Sequence, residues 1–129
     1  MKKIIAFSFL ALFSTNVLSA YQIEGDYSGS GEGELSLRTI VLENEKGVVA
    51  VSAFTGIPNA CSGTVSGVGN FNENRSDFTN YTGVNDSELC TVTIHFNDSG
   101  DIGEMSESNC SYFHGPGCAF FGQLKKVSP

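Results

Sequence analysis

The stretch Cys90-Thr91-Val92-Thr93-Ile94-His95-Phe96, followed by Asn97-Asp98-Ser99-Gly100, decides the fold class. Cys90, Val92, Ile94 and Phe96 alternate with Thr91, Thr93 and His95, the period of two that a half-buried strand requires. The Asn97–Gly100 run is turn chemistry, because its short polar side chains bond the local backbone and glycine accepts positive φ. It predicts a hairpin into a second strand, Ile102 to Ser106. Working outward, the same period recurs. Ile23, Gly25 and Tyr27 alternate with Glu24, Asp26 and Ser28, and Leu35, Leu37, Thr39 and Val41 alternate with polar neighbours up to Arg38. Val48 to Phe54 is Val-rich; Cys61, Gly63 and Val65 alternate with Ser62, Thr64 and Ser66. Asp77 to Thr82 is a weaker run, and Cys118 to Val127 ends the series.

About eight short strands at ~8–12-residue spacing predict an all-β antiparallel meander. Closure into a roughly eight-stranded β-barrel removes the exposed edges and fills the interior with side chains, with a β-sandwich as the alternative. Gly63, Gly67 and Gly69 share one face with Cys61 and would let their strand coil sharply. No helical period follows the first twenty residues.

Composition agrees. The chain has 129 residues, 15 Gly, 10 Phe and only 16% charged residues, which argues against a helical bundle and against disorder. Lys2 and Lys3 precede an apolar run, Ile4 to Phe13, and a small-residue tail ending at Ala20. This is the pattern of a secretory signal peptide over 1–20, too short for a membrane span, and it leaves 21–129 as one domain. The expected product is soluble, periplasmic or secreted, without membrane insertion. The formal charge is −7; losing Lys2 and Lys3 leaves five basic residues against fourteen acids, or −9. Such a chain is repelled by nucleic acid and drawn to basic partners.

Cys61, Cys90, Cys110 and Cys118 are an even set in a small exported chain, which reads as two disulfides. Cys110 and Cys118 flank a turn-rich segment able to bring its own ends together, whereas Cys61 and Cys90 sit in strands. The expected pairs are Cys61–Cys90 and Cys110–Cys118. No C-x-x-C spacing or histidine placement suggests zinc, so no metal is expected. No nucleophile motif surrounds His95 or His114; neither a catalytic set nor a cofactor is expected, and the protein is not read as an enzyme.

The segment built for contact is Cys110-Ser111-Tyr112-Phe113-His114-Gly115-Pro116-Gly117-Cys118. Tyr112, Phe113 and His114 would stand on a stiffened loop that loses little entropy on binding. Glu104 and Glu107, on the strand leading into it, are the expected acidic contacts, with Asp101 a further acid on the approach. Alternatively Phe113 and Tyr112 fold inward and close one end of the barrel.

This loop, running into Phe120-Phe121-Gly122-Gln123-Leu124-Lys125-Lys126, together with the Cys90 strand, resembles small exported bacterial β-domains grouped with periplasmic lysozyme inhibitors. The resemblance lies mainly in residues 88–127, a Cys-rich Gly loop followed by an F-x-G-x-L/Y-x-K strand. It implies a small barrel in a Gram-negative periplasm and a muramidase as partner. The S-G-x-x-Y signature of C-type inhibitors does not occur, so no contact residue is carried over. The resulting expectation is a non-enzymatic protein that binds and inhibits a lysozyme-type cell-wall hydrolase, itself a basic protein. Alternatives are an immunity protein against a secreted cell-wall-degrading effector, a small apolar-ligand carrier, and a structural or adhesive protein.

Overall fold

Alternating inward residues build the walls of the molecule wherever side chains are described. The computed structural model describes residues 19–72, 74–80 and 89–129, with residues 76–80 described by backbone alone. The leader expected over 1–20 therefore lies outside the described residues apart from Ser19 and Ala20. The strands are β1 (Gly25–Gly31), β2 (Glu34–Glu43), β3 (Val48–Ile57), β4 (Cys61–Asn72), β5 (Arg75–Asn80), β6 (Cys90–Phe96), β7 (Ile102–Ser108) and β8 (Gly122–Ser128). Each pairs antiparallel with the next, and β8 pairs back onto β1, so the ladder runs in chain order around a barrel. The wall is tall over β2 to β4 and low from β5 to β8. The β7–β8 ladder stops at Met105 and Gly122, above which the two chains part.

Sequence period and burial coincide on β6, where Cys90, Val92, Ile94 and Phe96 are all buried, and on β2, where Leu35, Leu37 and Thr39 are. Tyr27, Val49, Val51, Val65, Met105 and Leu124 face them from the other strands and fill the interior. Small residues on β1 let the ring close: a Cβ at Gly29 would stand 1.9 Å from the Gln123 carbonyl oxygen on β8.

The structure departs from the sequence reading in four places. Ile23 belongs to one turn of helix, α1 (Ala20–Ile23), that folds Ala20 and Ile23 under the lower mouth. Thr39 is in the core because it serves this turn: its hydroxyl donates to the Ile23 carbonyl and accepts Gly25 N–H at 3.1 Å. The Tyr27 hydroxyl also reaches the carbonyls of Gly100 (2.7 Å) and Ile23 (2.9 Å). Burial, reinforced by the Asp101 charge, pushes its phenol above the ordinary value and keeps it a neutral donor. Second, β3 runs past its expected end at Phe54 to Ile57, and β4 continues beyond Gly69 to Asn72. Between them, Pro58 and Asn59 (φ 62°) form a tight turn closed by Ala60 N–H to Ile57 O at 3.0 Å. A positive φ at the second central residue after proline is type II geometry, and asparagine tolerates it.

Third, residues 118–121, expected in the last strand, lie outside it. The buried Phe120 and exposed Phe121 still alternate, but β8 starts only at Gly122. Fourth, the disulfides are Cys61–Cys118 and Cys90–Cys110, not the expected pairs. Thr91 on β6 is registered with Ser108 on β7, which brings Cys90 alongside Cys110 at 4.5 Å between Cα atoms. Strand register, rather than the closing tendency of a short loop, sets that bond. It leaves Cys118 to be carried across the upper mouth to Cys61 on β4.

Candidate functional site

The connections β1–β2, β3–β4 and β7–β8 all emerge at the upper end, where both disulfides lie. After β7 the chain makes a 3-10 turn, Ser111–Phe113, closed by Phe113 N–H to Cys110 O at 2.8 Å. It then crosses the barrel mouth to β4, where His114 forms a single antiparallel bridge with Gly63. Only glycine allows this approach, since a Cβ at Gly63 would stand 2.4 Å from Phe113 O and 2.5 Å from the His114 Cβ. Two covalent clamps therefore bracket the crossing segment, one at each rim of the mouth.

The sequence-predicted contact residues divide into three kinds. Tyr112 is 72% exposed, with its ring edge-on to Phe113 at 5.9 Å. Phe113 is partly buried and packs against the core, whereas Tyr112, expected in the alternative reading to fold inward with it, does not. His114 and Glu107 are paired with each other, Nε2 to Oε1 at 2.8 Å, with side chains 9% and 18% exposed. The second Glu107 oxygen accepts Phe120 N–H at 2.8 Å, so this carboxylate is committed to holding the segment. Glu104 is not brought to this end. It faces outward lower on β7, registered with His95 and Gln123, beside a groove of about 280 Å³ that also includes Phe121. Asp101 lies at the opposite end, in the β6–β7 turn.

Several residues of the upper end had no sequence signal. Glu32, in the β1–β2 turn, accepts Ala119 N–H at 3.0 Å and gives the crossing segment a second carboxylate hold besides Glu107. Phe120 is fully buried beneath the His114 ring, centroids 5.4 Å apart. On the outer wall beside the β3–β4 turn, a groove of about 440 Å³ is lined by Phe54, Ile57, Pro58 and Ala60, with Glu34 at its margin. The Glu34 side chain is exposed and has no hydrogen-bond or ion-pair partner among the described residues. The groove reaches Cys61, whose Cβ would lie 2.9 Å from a Cβ at Gly115, so it borders the crossing segment. Only cross-strand register could have revealed Glu34 and Phe54 as neighbours of this end.

Among the described residues no group of three or more His, Cys, Asp or Glu side chains is placed to hold a metal ion. None of their helices is long and apolar enough to cross a membrane. Fold and site together define a small all-β protein whose aromatic upper end is tied by two disulfides. Comparison with protein-family models, with characterised proteins and with solved structures gives no match.

Proposed function

We propose that this protein is an exported, non-catalytic binding protein that inhibits a basic cell-wall hydrolase of the lysozyme type. The observation that carries the proposal is the upper end itself: Tyr112 stands exposed on a segment fixed at both rims by disulfides, next to an apolar groove edged by the unpaired Glu34. A fixed aromatic loses little entropy on binding, and an apolar groove with one free carboxylate suits the stem and head of a lysine or arginine. With fourteen acids against seven basic residues, the chain's field steers basic partners to it. Two disulfides favour an oxidising compartment, and the periplasm fits both the leader pattern and the resemblance in residues 88–127. The carrier reading has less support, because buried side chains occupy the barrel interior and the grooves described above lie on its outside.

The test is lysis of bacterial cell walls by C-type, G-type and I-type lysozymes with the oxidised protein in slight molar excess. At least one class is expected to slow. Tyr112→Ala and Glu34→Gln should each relieve the inhibition, and the association rate should fall as salt shortens the screening length from ~10 Å at 0.1 M to ~3 Å at 1 M. Unchanged lysis by all three classes at micromolar protein would end the general inhibitor reading.

A further inference from the structure

We infer that His114 is a positioning residue for the docking end: held as an imidazolium, it locks the crossing segment between β7 and β4 and so fixes where Tyr112 stands. The argument begins with the two ring nitrogens. Nδ1 lies 2.8 Å from the Gly115 carbonyl oxygen and Nε2 lies 2.8 Å from Glu107 Oε1. A carbonyl and an ionised carboxylate can only accept, so both nitrogens must donate, and only the doubly protonated ring does that. Either neutral tautomer would set a nitrogen lone pair against an oxygen lone pair at 2.8 Å in a part-buried site.

The surroundings favour the same charge state. Glu107 faces the ring from β7, and Glu32 lies near it in the β1–β2 turn. From β4 the neighbour is Gly63, which carries no charge, and Phe120 offers its ring from below. Burial works against the imidazolium, but the hydrogen bonds to Gly115 and Glu107, with the charges of Glu107 and Glu32, outweigh it and raise the pKa above the ordinary 6.5. The sign follows from that direction. The latch contributes in full below about pH 6.5 and is lost as the pH rises through the raised folded value.

Losing the proton cannot detach the segment, because Cys110 and Cys118 remain tied. It loosens the residues between them: a neutral ring keeps only one of its two hydrogen bonds, to Gly115 or to Glu107, and the attraction between imidazolium and carboxylate is lost, which leaves Glu107 less firmly held over Phe120 N–H. Tyr112 and Phe113 lie on the same span and lose their fixed position with it. The positioning role rests on the proposed docking function, whereas the protonation state can be tested in the free protein.

The experiment uses the oxidised protein with His95→Gln, which leaves His114 as the only histidine. The imidazole NMR signals should show both nitrogens protonated at pH 6.5 and a midpoint above 6.5, and Glu107→Gln should lower that midpoint. Amide exchange at Phe120, corrected for the intrinsic pH dependence, should accelerate through the same midpoint. Each pKa unit gained on latching is worth about tenfold in the opening equilibrium. His114→Gln should abolish this pH dependence even if it also loosens the segment, whereas a merely structural histidine would alter protection equally at every pH. A midpoint at or below 6.5, or the same pH dependence of exchange in His114→Gln, overturns the inference. Affinity for an inhibited lysozyme should weaken through the midpoint in the parent and not in His114→Gln; unchanged affinity overturns the positioning role while leaving the proposed inhibition intact.

Discussion

Replacing Cys61 and Cys118 together by alanine is expected to lower the unfolding free energy by about 4 kcal/mol, and replacing Cys90 and Cys110 by about 3 kcal/mol. The difference comes from the loops that the bonds close in the unfolded chain, with sequence separations of 57 and 20 residues. Losing both bonds would remove about 7 kcal/mol, comparable with the ~5–15 kcal/mol that holds a typical domain together. The fully reduced protein is therefore expected to be largely unfolded at physiological temperature. Denaturant melts of the two double variants and the reduced parent check the ranking, and peptide mapping without reductant checks the pairing. If Cys90/Cys110 proved the costlier pair, loop length would not be the governing term. The Cys61–Cys118 variant should also lose the proposed inhibition beyond its loss of stability, since that bond is the covalent tie of the crossing segment to β4.

The sequence exposed those elements whose burial follows a single face. β6 and the start of β2 could be read directly, because each apolar residue points inward and each intervening polar residue outward. The upper part of β3 and the lower part of β4 were harder. Gly56, Gly67 and Gly69 present no side chain to mark a face, and Phe54 and Val68 are apolar yet exposed. α1 leaves no mark in the sequence period for a different reason. Ile23 is inward like Gly25 and Tyr27, so the period of two runs unbroken across a helical turn. Disulfide connectivity depends on which strand ends the ladder places together, information absent from local loop chemistry. The candidate site shows the same division. An exposed Tyr112 could be foreseen from its loop, whereas the Glu107–His114–Gly63 arrangement joins β7 and the loop just after it to the distant strand β4, a contact with no local pattern.

Phe120→Ala is expected to destabilise the protein by ~3–5 kcal/mol, the usual cost of removing a large buried aromatic. Phe120 is fully buried, supports the His114 ring from below, and hands its N–H to Glu107. Its loss leaves a cavity directly beneath the crossing segment, and the disulfide at Cys118, two residues away, limits how far the chain can collapse into that space. Tyr112→Ala should behave in the opposite way. At 72% exposure the tyrosine makes little contact with the core, so stability should stay within ~0.5 kcal/mol while binding to the proposed hydrolase partner weakens. Thermal melts and inhibition assays on the two variants separate the roles directly. Phe120→Ala should regain inhibitory strength when assayed well below its lowered melting temperature, because its part is support. Tyr112→Ala should show the same deficit at every temperature at which the protein is folded. If Tyr112→Ala instead lowered the melting temperature as far as Phe120→Ala, Tyr112 would be a buried closure of the barrel mouth, and the docking surface would have to be sought at the Phe54 groove alone.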